Sequence, residues 1–137
     1  METAYGLKTR TDLEMSAAEE RVRDLLSEQG FGILTEIDVA ATLHEKLGVT
    51  RSPYRILGAC NPQLAKQALD VEADIGLLLP CNVIIYEDDG GGTVVAALDP
   101  NTMTDLTNNP DLAQVAGEAR RRLEGVIDAM SKGGANA

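Results

Sequence analysis

The chain has 137 residues, of which 44% are hydrophobic and 25% are charged. This composition excludes intrinsic disorder as the overall class, and the length suits a single domain with its own core. The net charge of −10 at pH 7 excludes the cationic surface that nucleic-acid binding requires, and it disfavours binding to an anionic membrane. Since the apolar stretches are too short to span a bilayer, we expect neither nucleic acid nor membrane as a partner.

Cysteine usage and the N-terminal residues indicate the compartment. Two cysteines, Cys60 and Cys81, are too few for a disulfide framework. The first ten residues, METAYGLKTR, lack the apolar segment of a secretory signal. We therefore expect a reduced, cytoplasmic protein, with one domain over residues 1–131 and a flexible tail over 132–137.

The first half of the chain predicts two strands and two helices. Residues 5–11 are typical of a strand, and a helix then begins at Ser16, where Glu19 completes a capping box. Gly30 ends this helix, and alternating apolar residues over 31–38 predict the second strand. Asp38 is a suitable N-cap for a short helix that Gly48 closes.

The second half predicts three strands and two helices. Residues 54–60 are strand-like, and Asn61 with Pro62 is a strong helix start. A glycine-rich loop joins strands 81–87 and 93–99, which requires an antiparallel hairpin. The final helix opens at Asn109-Pro110 and has a long apolar stripe, made of Leu112, Val115, Ala116, Ala119, Leu123, Val126, Ile127 and Met130.

The element order β-α-β-(α)-β-(α)-β-β-α favours a two-layer α+β fold, with helices packed on an antiparallel sheet of about five strands. The later strands are apolar on both faces, as Val83 with Ile84 and Val94 with Val95 illustrate. A sheet with one solvated face alternates more cleanly. An inserted helix or a second subunit would cover the second face, and we expect a homodimer.

Two stretches of the sequence carry a family resemblance. They are GFGILTEIDVAATLHEKLG leading into PYRILGACNPQLAKQAL, and DIGLLLPCNVIIYE with the following strand. Over about residues 30–100 they resemble the domain-of-unknown-function 302 family, and the pairing of ACNP at 59–62 with LLPCNV at 78–83 is the most specific part. The resemblance implies a TATA-box-binding-protein-like fold that forms dimers, and it implies no particular function.

Four residues at two strand ends form the candidate ligand-binding site: Cys60, Asn61, Cys81 and Asn82. In a meander, the end of strand 54–60 and the start of strand 81–87 lie at the same sheet edge, and the helix after Asn61 points its N-terminus there. Two thiols, two amides and a helix dipole could lower a thiol pKa or hold an anion. The alternative is that both cysteines pack as small hydrophobes and Asn61 is only a helix cap.

Other chemistry-bearing residues have plain structural explanations. His44 is the only histidine, and a closed zinc site needs about four compactly spaced ligands, so we expect no metal and no cofactor. Glu36 and Asp38 share a strand face, where paired carboxylates can act as acid and base. The alternative is that Asp38 caps the next helix while Glu36 is solvated or pairs with Arg55.

The sequence therefore predicts an uncharacterised, homodimeric module that binds a small ligand or a protein partner. The alternative is a thiol-dependent redox or sulfur-transfer protein that uses Cys60 or Cys81. The sequence identifies no catalytic residue for either function.

Overall fold

The computed structural model describes the backbone of residues 2–136 and the side chains of residues 2–131, and in this range five strands and five helices are present. The strands are β1 (Gly6–Thr11), β2 (Gly32–Asp38), β3 (Tyr54–Cys60), β4 (Cys81–Glu87) and β5 (Thr93–Leu98). The helices are α1 (Met15–Glu28), α2 (Val39–Leu47), α3 (Pro62–Val71), α4 (Asn101–Thr107) and α5 (Ala113–Asn136), with short 3₁₀ helices at Ala73–Leu78 and Pro110–Leu112. The tail predicted at 132–137 lies outside the side chains described.

The five strands form one antiparallel sheet in the order β1-β5-β4-β3-β2. The register places Val83 of the central strand beside Leu57 on one side and Ala97 on the other. The predicted α+β fold, with helices packed on a five-stranded antiparallel sheet, is confirmed.

The capping residues explain where most helices begin and end. The side chain of Asp38 accepts a hydrogen bond from the amide of Ala41, and Gly48 ends α2 with a φ of 69°. The predicted capping box at Ser16 is wrong, because α1 begins at Met15 and the side chain of Glu14 accepts from the amide of Ala17. The other half of the predicted box, Glu19, binds arginines instead.

Helix α4 and the 3₁₀ segment Ala73–Leu78 are missing from the predicted order. The sequence of α4, NTMTDLT, contains mostly residues with poor helix propensity and no apolar stripe. Tertiary context stabilises it, since Met103 is buried in the core and the Asp99 carboxylate accepts from the amide of Asn101.

The core lies between one face of the sheet and the helices. All eight residues of the stripe predicted for the last helix are buried, from Leu112 to Met130. All of them except Ala116 belong to one core cluster with residues of α1 and with inward side chains of the sheet, such as Leu57, Val83 and Ile85. The inserted helix α2 has no buried residue and borders the N-terminal half of α1. The opposite face of the sheet therefore keeps half-buried and exposed apolar side chains.

Candidate functional site

The cysteine edge, defined here as Cys60, Asn61 and Cys81, lies where β3 ends and β4 begins. The register pairs Ala59 with Cys81 across the two strands, and Cys60 is the next residue after Ala59. All three line one cavity of about 40 Å³ between the sheet edge, α3 and α5. The other lining residues are Phe31, Ala59, Leu64, Ala65, Ala68, Leu79, Pro100, Met103, Leu112, Val115, Ala116 and Ala119.

Asn61 uses its side chain to hold the local structure together. Its Oδ1 accepts a hydrogen bond from the amide of Leu64 at 3.2 Å, which caps α3. Its Nδ2 donates to the carbonyl oxygen of Gln29 at 3.4 Å, which ties the end of α1 to the start of α3. The residue is buried, and both ends of its amide are engaged within the protein.

Asn82 does not join the other three predicted residues. It pairs with Gly58 in the ladder and is exposed, whereas Cys81 beside it is buried. Successive side chains of a strand point to opposite faces, so Asn82 lies on the sheet face turned away from the helices. The four predicted site residues are thus divided between the two faces.

The environment of the Cys81 thiol makes it a poor nucleophile. Burial, and secondarily the neighbouring Cys60, raise the pKa of Cys81 to about 11. A thiol with this pKa is almost entirely protonated near neutral pH, and the thiolate is the nucleophile. The geometry thus favours packing over reactivity at this residue.

The cavity at the cysteine edge is small for an organic ligand. One water needs roughly 10–15 Å³ of the same kind of volume, so about 40 Å³ accommodates only a few waters. Sites for small molecules enclose roughly 300–1,000 Å³ and contain several convergent polar groups. A ligand site at these residues stays a prediction. The small volume and the apolar lining of the cavity argue against it.

The ionic groove is a larger concave region of about 730 Å³ between α1, α2 and the segment before β3. At its base, Glu19 accepts hydrogen bonds from the Nε of Arg55 at 2.8 Å and from the Nη2 of Arg23 at 2.9 Å. Arg23 also binds Glu36, and Asp38 lies 3.9 Å from the Nη1 of Arg55. Carboxylates from one helix and one strand thus neutralise both arginines.

The charges of the ionic groove stabilise one another. Burial acts to raise the pKa of Glu19, but hydrogen bonds and charges of Arg55 and Arg23 outweigh it and leave this pKa lowered. The hydrogen bond to Glu19 in turn raises the pKa of Arg55. The structure therefore agrees with the alternative to an acid–base pair: Glu36 is an ion-pair partner, and Asp38 is a helix cap. His44 is exposed and lines the groove.

Sequence reasoning missed Glu19 and Arg23 as members of this cluster. The one local signal is their spacing of four residues, which places oppositely charged side chains together on a helix surface. The contact between Glu19 and Arg55 joins residues 36 positions apart and has no such signal.

The open face is defined here as the sheet surface turned away from α1 and α5. The register aligns one row of side chains across all five strands, namely Lys8, Ala96, Ile84, Ile56 and Ile37. Four of these five are apolar, and Ile37 is 45% exposed. On this second face Ile84, Ile56 and Ile37 are only partly covered in a single chain, whereas Val94 of β5 is buried.

Two tyrosines lie side by side on the open face. Tyr54 and Tyr86 are paired in the register, and their rings stack with centroids 5.3 Å apart. The guanidinium of Arg51 lies 5.1 Å from the centroid of Tyr54, and the ammonium of Lys8 lies 5.9 Å from that of Tyr86. Burial, together with the phenols of Tyr86 and Tyr5, raises the pKa of Tyr54 against the opposing effect of Arg51.

Metal binding and membrane insertion both require features that can be checked in the described residues. Within the described residues, no group of three or more His, Cys, Asp and Glu side chains is arranged to hold a metal ion. No described helix is both long and apolar enough to span a bilayer.

The chain is similar to a known protein family and to a solved structure. The family described as "Domain of unknown function DUF302" matches residues 7–130, which confirms the resemblance found in the sequence. A crystal structure of an uncharacterized conserved DUF302 protein from Bacillus stearothermophilus is similar, with a TM-score of 0.87 and 29% sequence identity. The similarity covers 93% of this chain and 99% of that one. No curated protein matches the sequence.

Proposed function

The chain belongs to the DUF302 family, whose members are domains of unknown function, and we propose that it acts as a homodimeric binding module in which a second copy covers the open face. The observation that carries this proposal is the row of apolar side chains on that face, which the helices of the same chain leave uncovered. Two reduced thiols fit a cytoplasmic location for such a module.

The distribution of residues on the open face resembles that of a protein interface. Its centre is apolar, around Ile84 and Ile56, and tyrosines stand beside it. Charged side chains lie toward the outer strand β1, where Lys8 and Arg10 are located. Interfaces have such an apolar centre with a polar rim, and they are enriched in tyrosine.

The net charge favours a second copy at this face over other surfaces. Each chain carries a charge of −10, so two copies repel each other over most of their surface. An apolar face is complementary to itself, because a twofold axis brings two copies of the same apolar surface together. Among the described residues, the row at the centre of the open face contains no carboxylate, so association there meets little like-charge repulsion.

The size of the open face is compatible with a specific interface. Five strands spaced about 4.8 Å apart, with six to seven residues each, give a face of roughly 24 by 20 Å before side-chain relief is counted. Specific interfaces begin at roughly 600 Å² per partner, so this footprint is of the order of a small interface.

Two matched lysine substitutions test the proposal. We expect Ile84→Lys to convert a dimer into a folded monomer, because it places a charge at the centre of the interface. Leu77→Lys is the control, since Leu77 is 88% exposed in the 3₁₀ helix Ala73–Leu78. Light scattering coupled to size exclusion gives the mass, and circular dichroism shows whether each variant is folded.

The oligomeric states of the natural chain and of the two variants decide whether the proposal holds. The proposal is supported if the natural chain and Leu77→Lys are dimers and Ile84→Lys is a folded monomer. It fails if the natural chain is a monomer, or if Ile84→Lys remains a dimer. Should Ile84→Lys not fold, Ile37→Lys on the edge strand replaces it, because Ile37 is already 45% exposed and tolerates a charge in the single chain.

A further inference from the structure

The open face contains a hollow over the three tyrosines of the chain. It is a concavity of about 470 Å³ that is open to solvent on one side, and its lining comes from β1, β3, β4, β5 and the residues just before β1. This volume falls within the range of small-molecule sites, unlike the cavity at the cysteine edge. The floor is apolar, with Ile84 and Leu98 beside the tyrosine rings.

The polar groups of this hollow are unusual for so acidic a protein. The chain has 22 Asp and Glu residues, yet no carboxylate lines the hollow among the described residues. The ammonium of Lys8 lies at its wall, 5.9 Å from the ring centroid of Tyr86. The hydroxyl groups of Tyr5, Tyr54 and Tyr86 and the amide of Asn82 can all donate hydrogen bonds.

The hydroxyl of Tyr54 remains protonated and so can act as a donor. Burial and the neighbouring phenols raise the pKa of Tyr54, and Lys8 supplies a positive charge near the same rings. Hydrogen bonds from a cation or a hydroxyl to a carboxylate are the stronger kind, because the acceptor is charged. The groups present are therefore suited to a negatively charged oxygen acceptor above an apolar floor.

We infer that this hollow binds a small organic carboxylate with an aromatic or apolar body. The carboxylate lies toward Lys8 and the tyrosyl hydroxyls, and the body lies on Ile84, Leu98 and the ring edges. The inference rests on the proposed function in one respect, because the second copy roofs the hollow and shields this pairing from water. Shielding strengthens the attraction between the ammonium and the carboxylate.

The test uses 2-naphthoate as the probe and 2-naphthylmethanol as its uncharged counterpart. We expect calorimetric titration of the natural chain to show naphthoate binding about tenfold more tightly than the alcohol, as one charged hydrogen bond provides. Lys8→Met should abolish this preference, and light scattering of the variant shows whether its assembly has the mass of the natural one. Lys66→Met is the matched control, because Lys66 is exposed on α3 and pairs with Asp70 away from the hollow.

A second variant keeps the test informative if Lys8→Met disturbs the sheet. Tyr54→Phe retains the ring stack and removes one hydroxyl, and we expect it to weaken naphthoate binding by about threefold to tenfold. A dimer that binds neither probe, or that binds both equally, overturns the inference and leaves the proposed dimer standing. A monomer that binds naphthoate through Lys8 overturns the dimer and keeps the hollow as a carboxylate site.

Discussion

The ring of Tyr54 lies on the ring of Tyr86 with the two planes inclined by only 6°. Such a cross-strand aromatic pair contributes about 0.5–1.5 kcal/mol beyond the area it buries. The chain has only four aromatic residues, and two of them form this stack on the uncovered side of the sheet. Half of the aromatic residues of the chain thus lie on the face of the sheet turned away from its own helices.

Modification of Cys81 tests whether the alternative thiol function survives. Because burial and then Cys60 raise the pKa of Cys81 to about 11, we expect iodoacetamide at pH 8 to modify it at least a hundredfold more slowly than a free cysteine, by the order of magnitude that the thiolate fractions set. Mass spectrometry of tryptic peptides assigns the label, and Cys60→Ser isolates the signal. Rapid labelling of native Cys81 would revive a redox or sulfur-transfer role.

Acid denaturation tests the ion pairs of the ionic groove. The lowered pKa of Glu19 means that its pairing with Arg55 and Arg23 stabilises the fold above the ordinary glutamate pKa of about 4.3, and that this stabilisation is lost as the pH falls through the lowered value. We expect Glu19→Gln to reduce the free energy of unfolding by up to about 1 kcal/mol at pH 7. The difference should shrink at acid pH, as the pH falls below the lowered pKa of Glu19 and its side chain also becomes neutral.

The control for the ionic groove is the neighbouring residue on α1. Glu20→Gln makes the same chemical change at an exposed position, and we expect urea unfolding to show little difference from the natural chain at either pH. If Glu20→Gln and Glu19→Gln behave alike, general charge repulsion and not the pairing with Arg55 controls the acid response.

Removing two helix caps should have unequal effects. Asn61 and Asp38 each accept a hydrogen bond from a backbone amide three residues on, at 3.2 and 2.9 Å. Asn61 is also buried and donates to the carbonyl of Gln29, whereas α2 has no buried residue for Asp38 to secure. We expect Asn61→Ala to cost about 1–2 kcal/mol in urea unfolding and Asp38→Ala to cost less. Equal costs would show that the link to Gln29 adds nothing.

Gly58 is required by a close approach on the open face. A Cβ at this position would overlap the Oγ1 of Thr35 and lie 2.7 Å from the Cγ of Pro80. We expect Gly58→Ala to lower the free energy of unfolding by about 1–3 kcal/mol, the usual cost of overpacking. Gly32→Ala on β2 is the control, because a Cβ there meets nothing within 4 Å. If Gly58→Ala leaves the free energy of unfolding unchanged, then Pro80 and Thr35 can shift to make room for the methyl group at little cost.

The sequence predicts this fold well where local patterns are strong. The bounds of β3 and β4 agree with the structure residue for residue, because apolar runs end there at Pro53, Asn61 and Pro80. Helix α4 cannot be predicted in this way, because the burial of Met103 stabilises it and the helix propensity of its residues does not.

The candidate site is harder to predict than the fold. Strand ends bring Cys60 and Cys81 together as the topology requires, but neighbouring residues alternate between faces, which separates Asn82 from Cys81. The pairing of Glu19 with Arg55 depends on how α1 crosses the sheet, and a single sequence does not contain that angle.

Hydroxyl-radical footprinting of the natural chain over a dilution series tests most directly whether a second copy covers the open face. We predict that Ile84, Tyr54 and Tyr86 are protected from oxidation in concentrated protein and become reactive as the dimer dissociates, while exposed Leu77 reacts equally throughout. Equal oxidation of Ile84 and both tyrosines at every concentration, in a chain that sediments with its own mass of 14.6 kDa, would contradict the account.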